Sequence, residues 1–379
     1  MAGLLSHIDP NGHLEYSVVY TDRSLNHMSE SFQEVMKDIS QSLKKVYNAE
    51  AVVVVPGSGT FGMESVARQF ATNKKCMVIR NGFFSYRWTQ IFEMGEIPSE
   101  SKVLKATPVE DGKQASFAPA PLEEVIANIK LFKPDVVFAP HVETSAGMIL
   151  PDSYIHAVSD AVHEVGGLLV LDCIASGTIW VDMKKCGVDI LISAPQKGWS
   201  ASPCCALVML SEEGKKKLST TTSTSFSCDL KKWHQIMEAY EKGGHAYHAT
   251  MPTDSLKTFR NAMNEAIDYG LLKVKSDQQV LGQKIRDLLE AKGIKSLAAK
   301  GFQAPGVIVS YTNDPGVKTG KKFLEYDIQI AAGVPLKCDE PSDFQTFRIG
   351  LFGLDKLKNI DRTVSNISDA FDQILGKIH

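Results

Sequence analysis

The chain has 379 residues, 44% hydrophobic and 22% charged, with 41 basic and 44 acidic side chains and a formal net charge of −3. That length suits one large domain plus a smaller one, and the charge balance leaves no basic excess to attract nucleic acid or anionic lipid. No window approaches the ~18 consecutive apolar residues of a membrane span, and the opening MAGLLSHIDPNGHLEY lacks the basic n-region of a signal peptide, so a cytoplasmic protein is expected.

Apolar residues at helical spacing (Met28, Phe32, Val35, Met36, Ile39, Leu43, Val46) predict a helix over 28–48. Strands and helices then alternate. AVVVV at 51–55 reads as a strand, followed by a glycine turn and a helix from about Met63 to Ala71. CMVI at 76–79 is a strand and Ser85 to Met94 a helix. DVVFAPH at 135–141 is a strand and 153–166 a helix, with further strands at 168–172, 190–194 and 205–210. Unbroken apolar strands separated by helices imply a largely parallel sheet covered on both faces. After Pro252 the pattern changes. Asp254 is positioned to cap a long helix toward Gly270, and a second long helix ends near Gly293. A strand at 306–311, a short helix near 318–325, a strand at 347–350 and a closing helix over 361–378 follow. The reading is an N-terminal segment over 1–45, an α/β large domain with a mostly parallel sheet over 46–252, and a smaller C-terminal α+β domain over 253–379.

Seven cysteines (Cys76, Cys173, Cys186, Cys204, Cys205, Cys228, Cys338) are scattered, odd in number and without a C-x-x-C pair, which favours free thiols and argues against structural zinc.

Gly57-Ser58-Gly59-Thr60-Phe61-Gly62 fits G-x-G-x-x-G between a strand and a helix. A dinucleotide site wants an acidic residue on the ribose about 20 residues further on. Arg80 and Asn81 stand there instead, so NADP stays open on this motif. A single phosphate on the helix N-terminus, with Ser58 and Thr60 as hydroxyl donors, is the simpler reading, and a turn that binds nothing is the third.

Lys197 follows a buried-looking strand, in SAPQKGWSASP, where α/β sheets place ligands. Most lysines are solvated surface groups. Here the neighbours Ser193, Gln196, Ser200 and Ser202 are uncharged and no acid is close in sequence. A lysine near other cationic groups loses its proton more easily, as Schiff-base chemistry needs. Asp172 ends the LLVLD strand. It is either a cap or ion-pair partner or, buried, the partner of a protonated pyridine nitrogen.

In order along the chain, GSGTFGME (57–64), NGFFSYRW (81–88), HVETSAG (141–147), LDCIASG (171–177), SAPQKGWSASP (193–203), AYHATMPT (246–253) and FRIG (347–350) resemble the class V aminotransferases, in particular the alanine–glyoxylate and serine–pyruvate subgroup. The resemblance implies the fold type I, aspartate-aminotransferase-like architecture and a pyridoxal 5′-phosphate (PLP) transaminase. In it Lys197 forms the Schiff base and Asp172 pairs the ring nitrogen. Ser58, Gly59, Thr60 and Gln196 serve the phosphate, Phe84 stacks on the ring, Thr144 lies near the 3-oxygen, and Arg348 binds the substrate α-carboxylate. Tyr247 and Thr250 would reach the phosphate of the other subunit, implying a homodimer with shared sites. The expected substrates are a small amino acid and a 2-oxo acid, glyoxylate or pyruvate.

The chain departs from that family in three places. Its N-terminal HLEYSVVYTDRSLNHMSESF lacks the glycine–proline segment, Phe84 replaces a tryptophan, and Leu351-Phe352 replaces a histidine–methionine pair. A cysteine desulfurase or other lyase of the same fold is the main alternative, with Cys338 as the candidate thiol and Gln196 where those enzymes carry histidine. An NADP-dependent oxidoreductase is the weaker one.

Overall fold

The computed structural model describes residues 7–376. Its central sheet has seven strands: β1 (Ala51–Pro56), β2 (Lys75–Arg80), β3 (Glu100–Lys105), β4 (Val136–Pro140), β5 (Leu168–Asp172), β6 (Ile190–Ser193) and β7 (Cys205–Leu210). They lie in the order β1-β7-β6-β5-β4-β2-β3. All neighbours from β6 to β3 are parallel, whereas β7 runs antiparallel to both β6 and β1. Every residue of β4, β5, β6 and β7 is buried. A strand covered on both faces has no polar side to show, which is why these segments read as unbroken apolar runs.

Helix α1 (Glu30–Tyr47) is capped by Ser29, whose Oγ accepts from the Phe32 N–H at 3.2 Å. It buries Phe32, Val35, Met36, Ile39 and Leu43, while Met28 lies before it and is exposed. Helix α2 (Gly59–Phe70) starts inside the glycine turn, four residues before the sequence-based boundary at Met63. Gly57, with φ +122°, turns the chain out of β1 through a conformation open chiefly to glycine. Helix α3 (Phe83–Gly95) follows β2.

In the C-terminal part, α4 (Thr253–Tyr269) and α5 (Leu271–Ala291) meet at Gly270. Asp254 does not cap α4: it sits inside the first turn, and its Oδ1 accepts from the Leu25 N–H at 3.0 Å, tying the N-terminal segment down. A second sheet joins β8 (Val307–Tyr311), β9 (Ala331–Ala332) and β10 (Thr346–Gly350) in the antiparallel order β8-β10-β9. Two four-residue helices, Pro315–Lys318 and Lys321–Leu324, replace the single one expected near 318–325. The closing helix α6 spans Ile360–Gly376, and the expected extension to 378 lies outside the described residues. Among the described residues no helix is long and apolar enough to cross a membrane.

Parallel pairing aligns the C-terminal ends of β4, β5 and β6, with Pro140 opposite Asp172 and Ile192 opposite Asp172. The loops leaving β5 and β6 then touch backbone to backbone: a Cβ on Gly198 would stand 1.9 Å from the Gly177 carbonyl oxygen. Only a residue without a side chain fits there, and that contact fixes the segment carrying Lys197. Gly198→Ala must therefore push the two loops apart. Overpacking of this kind costs about 1–3 kcal/mol. The variant should melt several degrees below the wild type by circular dichroism, and an unchanged melting temperature would show that the loops are not in close contact.

Candidate active site

Nine of the residues singled out in the sequence line one cavity of about 470 Å³: Ser58, Gly59, Thr60, Phe84, Thr144, Asp172, Gln196, Lys197 and Arg348. They come from the segments just beyond the ends of β1, β4 and β6, from the end of β5, from the starts of α2 and α3, and from β10 of the second sheet. Tyr247 and Thr250 do not join them. These two lie outside the cavity, with Tyr247 54% exposed and its hydroxyl 3.1 Å from Thr250 Oγ1.

One end of the cavity is built for an anion. The first peptide N–H groups of a helix have no intrahelical acceptor, so those of Gly59 and Thr60 are left for a ligand at the positive end of α2. Gln196 adds a side-chain amide whose NH2 can donate to the same anion; its Oε1 is buried without a hydrogen-bond partner. The deep wall is of opposite character. Asp172 is buried and its Oδ1 accepts one hydrogen bond, from the peptide N–H of Ile174 at 2.9 Å. Burial pushes its carboxyl from 3.8 up to about 7; the Ile174 N–H opposes the rise, Glu143 adds to it and Arg87 opposes it. The Lys197 amine is held below its ordinary value, first by burial and then by the Arg348 charge. Its Nζ stands 5.0 Å from the Phe352 ring centroid. Arg348 is itself lowered by burial; its Nε donates to Ala332 O at 2.8 Å, leaving the two terminal nitrogens of the fork for the cavity.

Glu143 and Arg87 escaped the sequence reading, and Phe352 stood there only as a departure from the family. Glu143 is buried and accepts five hydrogen bonds: from the N–H groups of Phe84, Ser85 and Ser145, and from the hydroxyls of Ser85 and Ser145. It thereby occupies the N-terminus of α3, where a negative charge is stabilised, and sets the position of Phe84. A Cβ on Gly82 would meet Ser145 Oγ at 2.0 Å, so a glycine is needed for this approach. Arg87 lines the cavity and donates from Nη1 to Thr60 Oγ1 at 3.0 Å. Phe352, visible in the sequence as a departure from the family, closes the cavity beside Lys197. Glu143 lies within a motif already in hand, and its sign was an acidic residue in an otherwise uncharged stretch. Cys338 is a poor nucleophile: it is buried, its thiol is pushed up to about 12 chiefly by burial and then by Glu143, and its Sγ contacts Arg80 O.

Residues 12–348 match the family described as aminotransferase class V, which is most of the chain. The chain belongs to the class V aminotransferase family. Relatives of this class V aminotransferase include the alanine–glyoxylate aminotransferase of Rattus norvegicus, 24% identical over 359 residues, covering 92% of this chain and 82% of that protein. The 2-aminoethylphosphonate–pyruvate transaminase of Syntrophobacter fumaroxidans is 26% identical over 347 residues, covering 89% and 88%. The solved alanine–glyoxylate aminotransferase from Nostoc sp. superposes with a TM-score of 0.78 at 21% identity, over 92% of this chain and 88% of that one, a likeness of fold. The cavity of this class V aminotransferase fits the cofactor its family implies. Anion donors stand at one end, a carboxylate short of a cation at the other, and an amine of lowered basicity faces the same space.

The raised carboxyl has a consequence for the protein stripped of any cofactor. In the unfolded chain Asp172 loses its proton near pH 4, and in the folded chain only near 7, so its ionisation destabilises the fold as pH rises between those values. Asp172→Asn keeps the acceptor for Ile174 N–H and removes the titration. The stripped variant should match the stripped wild type below about pH 4 and outlast it above pH 7, by at most about 4 kcal/mol. Chemical denaturation at pH 4, 6 and 8 reads this out; a pH-independent difference would count against a neutral Asp172 in the empty site.

Proposed function

We propose that the chain is a PLP-dependent transaminase that moves the amino group of a small amino acid to a 2-oxo acid, glyoxylate or pyruvate. The observation that carries this reading is the convergence of Asp172 at the end of β5, Lys197 just past the end of β6 and Arg348 in the middle of β10 on one cavity. When bound, PLP supplies an electron-withdrawing ring that stabilises negative charge at a substrate Cα and carries the amino group between donor and acceptor.

The chain's own residues supply the rest. Lys197, with its amine eased toward the neutral form, holds the cofactor covalently and afterwards moves the proton at the substrate Cα. Asp172 keeps a proton on the ring nitrogen; the charge that is costly in the empty site becomes favourable opposite a cation. Ser58, Gly59, Thr60 and Gln196 would hold the phosphate, Phe84 would stack on the ring and Thr144 would serve the ring's 3-oxygen. The free fork of Arg348 takes the α-carboxylate by two parallel hydrogen bonds, a geometry that lysine lacks. The acceptor is supported by relatives named for glyoxylate or pyruvate.

The same reading makes the enzyme a homodimer in which Tyr247 and Thr250 complete the partner's phosphate site. In support, the two hydroxyls are paired with each other outside their own chain's cavity.

Borohydride treatment of the holoenzyme should fix the cofactor to the peptide carrying Lys197, and Lys197→Ala should lose both that adduct and turnover. An adduct on another lysine overturns the assignment. Adding amino acids one at a time and following conversion to the amino form of the cofactor identifies the donor.

Sharing is tested by mixing two inactive variants, Lys197→Ala and the Tyr247→Ala/Thr250→Ala double variant, under subunit exchange. One site of the heterodimer then carries both defects and the other none, so each heterodimer should recover one of its two sites and activity should reappear. A mixture as inactive as its components would mean that each site is built within one chain.

A further inference from the structure

Three cationic side chains line the cavity: Lys197, Arg348 and Arg87. The proposed function employs the first two and leaves the third. Arg87 lies in the second turn of α3 with its guanidinium carbon 5.2 Å from the Phe84 ring centroid and its Nη1 bonded to Thr60 Oγ1. Other arginines find carboxylates, Arg68 with Glu64 and Arg260 with Asp38, but Arg87 has no ion-pair partner among the described residues.

The phosphate end presents a charge deficit. A phosphate monoester carries about −1.5 to −2 near neutral pH. Ser58, Gly59, Thr60 and Gln196 are all uncharged, as are Tyr247 and Thr250 from the partner. The N-terminus of α2 contributes the equivalent of about half a positive charge. Lys197 is committed to the other end of the cofactor, and Arg348 sits on β10 with its Nε tied to Ala332 O. A dianion left in a half-closed site without a formal countercharge is costly. Arg87 is the cation on the same rim, held at the turn by Thr60.

We infer that Arg87 is a phosphate-binding residue, the charged member of the cradle formed by Ser58, Gly59, Thr60 and Gln196. This rests on the PLP reading and deepens it. The bond to Thr60 gives the arrangement a direction. Thr60 Oγ1 accepts from Arg87, which leaves the hydroxyl's own proton to donate to the phosphate. The Phe84 face orients the guanidinium, so the ring that covers the cofactor also aims its countercharge.

The test compares PLP with pyridoxal, which has the same ring and aldehyde without the phosphate. Full-length wild type, Arg87→Met and Arg87→Lys are stripped of cofactor and titrated with each compound by absorbance. In Arg87→Met the affinity for PLP should fall about 10- to 100-fold, as for the loss of a charge-assisted hydrogen bond, while that for pyridoxal stays unchanged. Arg87→Lys should retain part of the preference. If the methionine variant does not fold, the same ratio is read on Arg87→Lys and Arg87→Gln, with folding checked by circular dichroism. Equal weakening toward both compounds would mean that Arg87 only packs the site, and an unchanged PLP affinity would mean that it serves another group; either overturns the inference. A wild type that prefers PLP leaves the cofactor reading standing whatever the variants do. A wild type that binds neither compound overturns that reading and this one together.

Discussion

A carboxylate shut in at the end of the central strand, with one peptide N–H for company, governs the arrangement of this site. Asp172 cannot ionise comfortably as it stands, because burial removes the water that would solvate it and Ile174 supplies only partial compensation. The fold nevertheless keeps it there, in the register set by β4 and β6 on either side. Such a position is stable against its own electrostatics only with a proton or a cation opposite, and a protonated aromatic nitrogen is both flat enough and charged enough to serve. The opposite end of the cavity has the complementary deficiency, N–H groups without an intrahelical acceptor at the start of α2. Between the two, the Gly198–Gly177 contact leaves Lys197 little freedom in where it emerges.

Glu143 performs the corresponding task for the aromatic wall. It takes hydrogen bonds from the first turn of α3 and from Ser145 two residues along its own segment, so one side chain joins two segments nearly 60 residues apart in sequence. Phe84 and Arg87 inherit their positions from that junction. A buried carboxylate with five donors is well satisfied, in contrast to Asp172 with one, and the difference separates a charge that builds the site from a charge kept for a ligand.

Legibility in the sequence followed burial. β5 and β7 were read to the residue, since both faces of each are covered and their apolar runs have sharp edges. The edge strand β3, ESKVLK, carries too little apolar content to stand out. The helix Leu230–Glu241 has no counterpart among the elements expected from sequence, although Leu230, Trp233, Ile236, Met237 and Tyr240 have helical spacing. The start of α2 was placed too late because Gly59 and Gly62 are poor helix formers by propensity. Here tight packing on Ile174 and Ala206 requires them. The lysine, aspartate and arginine of the site came from ordered motifs, whereas the pairing of Arg87 with Thr60 exists only once α2 and α3 are side by side.

The two sheets divide the work unevenly. Lys197, Asp172 and the α2 turn all hang from the seven-stranded sheet, but Arg348 and Phe352 belong to the small antiparallel one and the chain just beyond it. Substitutions in β8, β9 or the turn after β10 can therefore reshape what the pocket admits while leaving Lys197, Asp172 and the α2 turn where the large sheet puts them. Such an architecture allows substrate preference to drift during evolution while the chemistry is inherited whole.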